Sequence, residues 1–389
     1  MARTKKSKTT MPHHHVACCF QGGGALGAYQ VGILHALDEA GYNPNWFAGT
    51  SIGAINAAIA AGNPPKVRVE KMYQFWETIA TPSFIESKLL PNDDASRRIE
   101  HILSAQTALL FGQPGFFTPR FPPLLMGYYD TPDTLSFYDT KNLKSTLEQF
   151  IDFDRLNNAQ ETRISIGAVE ICTGEMVYFD SQNTKIGPEH IMASGALPPG
   201  FPAVEIEGEY YWDGGISSNS PVTYILSANQ CPHNLLCFSI HLFDSYGLYP
   251  TSLDAVLKRK KDIEYSSRFS KAVQTYQQIH ALKNTIHILS RYIPEEEKEN
   301  PELQLCMARG HQSTISLVRF LYEHDETEFS SKDYEFSNKS ILERIKHGYI
   351  DGRKAIKKSP WNKKMPDTTG IAVYDMASNK HLKEESENE

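Results

Sequence analysis

The sequence predicts an α/β fold, a mainly parallel sheet with helices on its faces, followed by a mostly helical extension. Three observations predict it. Short apolar runs alternate with helical periodicity from Val16 to Ala61, and such alternation requires crossover helices and therefore parallel strands. Residues 16–20 and 235–242 are nearly continuous apolar runs, the mark of strands buried on both faces. After Asp244 the chain turns polar, and helical patterns replace the short strands.

The elements follow in order. Residues 16–20 form a buried strand that runs through Gln21 into three glycines. Residues 25–40 form a helix, with Leu26, Tyr29, Ile33 and Leu37 on one face and Gly41 as its stop. Residues 46–50 are a second strand with Ser51 at its end, and residues 52–61 are small, apolar and helix-prone. Another helix is expected over 67–79. Residues 81–139 carry Pro and Gly at intervals and suggest no regular element. Beyond them come a helix over 142–151, paired strands over 163–169 and 175–179, and a helix over 189–197 stopped by Pro198 and Pro199. A hairpin over 203–212, a short helix over 221–228 and the strand over 235–242 complete the set. Helices are expected over 253–293, 303–322 and 340–356. These readings divide the chain into a basic tail (1–14), a catalytic domain (15–249), a mainly helical extension (250–375) and an acidic tail (376–389).

Composition narrows the function. The chain has 389 residues, 40% of them hydrophobic and 22% charged, enough for a substantial core. A formal net charge of -7 argues against a dedicated nucleic-acid binder. The six cysteines include the adjacent pair Cys18 and Cys19 and no CxxC, so reduced, mostly buried thiols are expected rather than a disulfide framework or a zinc site. His13 to His15 precede a strand and are not read as a metal site. No apolar run approaches the about 18 residues of a membrane span, and the basic start lacks the apolar core of a secretory signal. The expectation is a cytoplasmic protein able to visit a membrane surface, with export by a route lacking a cleaved signal left open. No metal or organic cofactor is expected, and nothing indicates an oligomeric state.

Three motifs carry chemistry. Gly49-Thr50-Ser51-Ile52-Gly53 is a G-x-S-x-G placed between a short strand and an Ala-rich helix. Glycines two before and two after the serine remove side chains that would clash in a cramped strand-to-helix turn. The hydroxyl then projects from the sheet edge over a helix N-terminus. The competing reading is a serine N-cap in a small-residue turn. Gly22-Gly23-Gly24-Ala25-Leu26-Gly27 exposes backbone N–H groups that can hold an oxyanion. Gly22, Gly24 and Gly27 also spell G-x-G-x-x-G, the mark of a dinucleotide-binding oxidoreductase. That alternative needs an acidic residue at the end of the second strand, where this chain has Gly49, Thr50 and Ser51.

The third motif, Asp213-Gly214-Gly215, is by itself a common turn. It gains meaning from the need for a base. A Ser-His-Asp esterase would draw on His233, His241, His280, His287 or His311, none in a recognisable catalytic loop. The other option is a dyad in which a desolvated carboxylate takes the serine proton directly.

These blocks together resemble the patatin-like phospholipases. The glycine loop, the Ser51 motif, the Asp213 motif and the stretch Ala193-Ser194-Gly195-Ala196-Leu197-Pro198-Pro199-Gly200-Phe201-Pro202 stand in that family's order across residues 15–245. The resemblance implies a three-layer α/β/α fold, a Ser51–Asp213 dyad, an oxyanion hole from Gly22, Gly23 and Gly24, and hydrolysis of fatty-acyl esters, often phospholipids. Gly27, Gly49, Gly53, Gly214 and Gly215 are then motif glycines. The chain departs from the family at Leu26, where Arg or Lys is common, and this bears on head-group preference. Residues 337–355 are similar to an extension of some bacterial members. Two further segments invite a lipid reading. The aromatic stretch 116–129 (Phe116, Phe117, Phe121, Leu124, Leu125, Met126, Tyr128, Tyr129) is either a lid or an ordinary packed insertion. The cluster Lys258, Arg259, Lys260 and Lys261 either touches anionic lipid or forms a solvated helix face.

Overall fold

The structure is a computed structural model that describes residues 15–81, 93–122, 130–158, 160–227, 234–266, 269–310, 314–323, 328–363 and 369–377. The elements, in chain order, begin with β1 (His15–Phe20), α1 (Ala28–Glu39), β2 (Trp46–Thr50), α2 (Ile52–Ala61), α3 (Arg68–Thr78) and α4 (Asp94–Phe111). Next come β3 (Thr118–Pro119), β4 (Tyr138–Asp139), α5 (Lys141–Phe150), α6 (Phe153–Leu156), β5 (Arg163–Glu170), β6 (Met176–Asp180) and α7 (Pro188–Ser194). Then follow β7 (Val204–Ile206), β8 (Glu209–Asp213), α8 (Val222–Ser227) and β9 (Leu235–His241). The chain ends in α9 (Leu253–Tyr265), α10 (Phe269–Ser290), α11 (Pro301–Met307), β10 (Ile315–Leu321), α12 (Asn338–Lys358) and β11 (Ile371–Asp375).

Nine strands form one sheet in the order β11-β10-β9-β1-β2-β5-β8-β7, with β6 also on β5. From β11 to β5 every neighbour is parallel, and β6, β7 and β8 are antiparallel additions. The α/β class with a mainly parallel sheet is therefore as the sequence predicts. One apolar cluster fills the face carrying α1, α2 and α3, and a smaller one fills the face under α8 and α10.

Four expectations are corrected. Residues 303–322 are not one helix: α11 stops at Met307, and Ile315–Leu321 is β10. Six of its seven residues are buried, because β9 and β11 flank it in parallel and both faces are covered. Residues 253–293 are two helices, α9 and α10, rather than one. Residues 81–139 contain an 18-residue helix, α4, capped by Asp93, whose side chain accepts from the Ser96 N–H. The Lys258–Lys261 cluster is not simply a solvated face: Lys260 is exposed, but Lys258, Arg259 and Lys261 each bond a backbone carbonyl of another segment. The Lys258 Nζ donates to the Glu328 carbonyl at 3.0 Å, and the Lys261 Nζ bonds the Ser330 carbonyl at 2.8 Å and Asp333 at 2.7 Å.

The chain after Tyr249 thus adds strands to the sheet begun before it, and α12 packs along α1 through close glycine contacts. A Cβ on Gly348 would overlap the Tyr29 carbonyl, and one on Gly32 the Ile345 carbonyl. Of the aromatic stretch 116–129, Phe116 and Phe117 are buried and Phe121 is exposed, while Leu124, Leu125, Met126, Tyr128 and Tyr129 lie outside the described residues. Cys18, Cys19 and Cys237 are buried free thiols, Cys172 and Cys306 are exposed ones, and Cys231 lies outside the described residues. Among the described residues, no helix is long and apolar enough to cross a membrane, and no group of His, Cys, Asp and Glu is placed to hold a metal.

Candidate active site

Sheet register brings the two candidate residues together. The upper part of β5 has β6 on one edge, through Ala168↔Val177. Its other edge is shared: β2 pairs there as far as Thr50↔Gly167, and β8 takes over at Ala168↔Asp213, running the opposite way. The residue after β2 and the last residue of β8 therefore meet head to head. They are Ser51 and Asp213. Gly214 must be small for this approach, since a Cβ there would lie 2.7 Å from the Gly167 carbonyl and 2.9 Å from the Thr50 methyl.

Ser51 sits on a strained elbow, with φ 57° and ψ −130°. The motif glycines permit it. A Cβ on Gly49 would overlap the Gly53 carbonyl, and a Cβ on Gly53 would overlap the Phe20 carbonyl. Gly27 packs on the same turn, where a Cβ would meet Ile52 at 2.9 Å. The elbow is pinned from behind by Ser194, in the block before the two prolines. The Ser51 N–H donates to the Ser194 carbonyl at 3.1 Å and to its Oγ at 3.0 Å, and that Oγ donates to the Gly167 carbonyl at 2.6 Å.

The Ser51 hydroxyl lies close enough to the Asp213 carboxylate to pull its proton affinity down. Asp213 is 2% exposed and also accepts from the Gly215 N–H at 2.7 Å. Burial pushes its carboxyl up to about 7, against the pull of the Ser51 hydroxyl and the Gly215 N–H. It is thus a carboxylate whose proton affinity suits exchange near neutral pH. No described histidine lines the cleft. His241 is buried in β9 on Ser239 and Phe269, and His280 bonds the Leu226 carbonyl. His287 bonds Arg291, and His233 and His311 lie outside the described residues.

The glycine loop stands across the cleft. Its three glycines are not equivalent. The Gly22 N–H is committed to the Asn219 carbonyl at 3.1 Å, so Gly22 is not available as the donor it was expected to be. The N–H groups of Gly23 and Gly24 make no hydrogen bond among the described residues, and both glycines line the cleft. Asn219 ties the loop down by donating from Nδ2 to the Gly22 carbonyl at 3.0 Å and to the Tyr265 carbonyl at 3.2 Å.

Sequence reasoning missed Asn219 and the third wall, which is Asp333, Tyr334 and Phe336 from the loop before α12. Asn219 stands six residues after Asp213 in a polar turn, a weak signal. Nothing in the sequence pairs residue 333 with residue 24. A buried ion network fixes this wall. Arg344 bonds Glu328 at 3.0 Å and the Glu335 carbonyl at 2.9 Å, and the Lys332 Nζ bonds Asp262 at 2.5 Å. Burial pushes the Lys332 ammonium down to about 8. The buried Leu26, where the sequence departs from the resembled pattern, supplies no charge.

A family model described as patatin-like phospholipase matches residues 18–226, and one described as patatin phospholipase matches residues 263–368. No curated protein matches the chain. Among solved structures, VipD from Legionella pneumophila is similar at 14% identity and a TM-score of 0.38, over 89% of this chain and 67% of its own. Human GIVD cytosolic phospholipase A2 is similar at 10% identity and a TM-score of 0.38, over 90% of this chain and 60% of its own. ExoU of Pseudomonas aeruginosa, solved with SpcU, shares 16% identity at a TM-score of 0.28, over 88% of this chain and 69% of that one. The first of the family models spans more than half of the chain and takes in the loop, elbow and aspartate just described: the chain belongs to the patatin-like phospholipase family.

Proposed function

We propose that this protein is a serine acyl-ester hydrolase that releases fatty acids from lipids through an acyl-enzyme intermediate. The observation that carries the reading is the juxtaposition of the Ser51 hydroxyl with a buried carboxylate, Asp213, whose carboxyl is raised to about 7 by burial, in a cleft that no described histidine lines.

In this reading Asp213 accepts the Ser51 proton as Oγ attacks the ester carbonyl carbon. Negative charge develops on the carbonyl oxygen, which the N–H groups of Gly23 and Gly24 receive. The N-terminus of α2, directly after Ser51, favours the same charge. The tetrahedral intermediate collapses, and the alcohol or lysolipid leaves with the proton from Asp213. Water then attacks the acyl-enzyme, Asp213 takes its proton, and the fatty acid departs as Ser51 is reprotonated. Neither metal nor organic cofactor enters any step. The substrate is drawn from a lipid surface, so transient membrane contact belongs to the proposal.

The test is turnover of a chromogenic acyl ester together with labelling by a fluorophosphonate probe. Ser51→Ala loses both, and Asp213→Asn loses turnover while the protein stays folded. Retained turnover in either variant rejects the dyad. Mass spectrometry of a mixed lipid extract after incubation identifies the ester cleaved.

A further inference from the structure

We infer that Phe336 is a specificity-determining residue that limits the length of acyl chain the cleft accepts; this rests on the ester-hydrolase reading above. The cleft around Ser51 is lined in part by Asn219, Gly215, Tyr265 and Asp333. It is also lined by a buried apolar set, Ile52, Ile55, Phe116, Phe117 and Phe336, each 7% exposed or less. These five side chains offer nothing able to pair with a head group, so an alkyl chain is the substrate part that fits against them. Each methylene buried there is worth about fourfold in affinity.

Ile55 lies one turn along α2 from Ser51, a rise of about 6 Å. Phe116 and Phe336 pack together with ring centroids 6.5 Å apart. Phe336 stacks in turn on Trp76, at 6.5 Å and 21° between planes. Trp76 is a fixed backstop, fully buried with its Nε1 donating to the Asn56 Oδ1 at 3.0 Å. Phe336 is fixed as well. Its carbonyl accepts from the Thr81 N–H at 2.8 Å, and the preceding carbonyl is held by Arg344 at 2.9 Å. A fixed part of the cleft's apolar lining is therefore contributed by a residue more than a hundred positions beyond Asp213 in the chain, in the stretch before α12.

The experiment measures kcat/KM for p-nitrophenyl butyrate, octanoate and dodecanoate with the full chain, Phe336→Ala and Ile55→Phe. The readout is the dodecanoate-to-butyrate ratio, which does not depend on the fraction of protein folded. Phe336→Ala raises that ratio at least about tenfold, and Ile55→Phe lowers it by a similar factor. Should Phe336→Ala yield no soluble protein, Phe336→Leu carries the same test with a smaller rise expected. An active enzyme whose ratio stays at the wild-type value in these variants overturns the inference and leaves the hydrolase reading standing. A wild-type protein that turns over no ester of any length removes both.

Discussion

Gly24 and Asp333 meet backbone to backbone at the rim of the cleft, so that a Cβ on Gly24 would overlap the Asp333 carbonyl oxygen. Gly24 also holds a φ of +54°, a conformation side chains disfavour. Gly24→Ala must therefore push the loop and the 333–336 wall apart, moving the proposed oxyanion donors. We expect kcat to fall at least about 100-fold. Gly41→Ala is the control. Gly41 has φ +84° but nothing within 4 Å of its Cβ, so it shares the backbone strain without the collision and keeps its kcat.

The pH profile follows from Asp213. As a base it works only when ionised, and burial holds its carboxyl near 7. The plot of log kcat/KM against pH should rise with unit slope on the acid side and level off above about pH 7. A profile flat down to pH 5 would show that Asp213 is not the group whose ionisation gates the reaction.

The same shift has a cost in stability. An aspartate in an unfolded chain titrates at about 3.9. Between that value and about 7 the folded protein holds a proton the unfolded chain has released. Folding stability therefore falls as pH rises through this window. Asp213→Asn removes the effect. Its Tm should exceed that of the wild type by several degrees at pH 8, with the gap narrowing toward pH 4, as differential scanning calorimetry can read.

Ser194→Ala separates support from chemistry. The buried Ser194 Oγ serves both Gly167 and the Ser51 N–H, while the Ser194 carbonyl also holds that N–H. Removing the hydroxyl leaves the buried Gly167 carbonyl without it and should cost about 1–3 kcal/mol in denaturant unfolding. Because the elbow keeps its second anchor, kcat should fall far less than in Ser51→Ala.

Arg344→Met breaks the network behind the cleft wall. Arg344 is buried against Glu328 and Glu335, and both carboxylates would lose its guanidinium. A loss of about 3–5 kcal/mol in urea unfolding is expected. Arg344→Lys should recover only part of it, because an ammonium cannot reproduce the fork that reaches Glu328 and two carbonyls together.

Much of this site was legible in the sequence because its constraints are local. A serine between Gly49 and Gly53 announces an elbow wherever it occurs, since the clash those glycines avoid lies within one turn. The parallel sheet was legible for the same reason, strand and crossover helix being adjacent in the chain. What misled was the missing context. Ile315–Leu321 carries Ser316 and Arg319 among its apolar residues, and only its place between β9 and β11 makes it a strand. The helix α4 was hidden in a segment whose flanks are rich in Pro and Gly.

By itself the sequence determined the class of fold, the strained serine, the glycine loop and the candidate aspartate, each through steric rules acting over a few neighbouring residues. Only the tertiary structure decided which loop amides remain free, how acidic Asp213 is and what closes the cleft. Those properties depend on burial and on contacts such as Gly22 with Asn219 and Gly24 with Asp333. Such contacts join positions hundreds of residues apart, a distance at which no local pattern carries information.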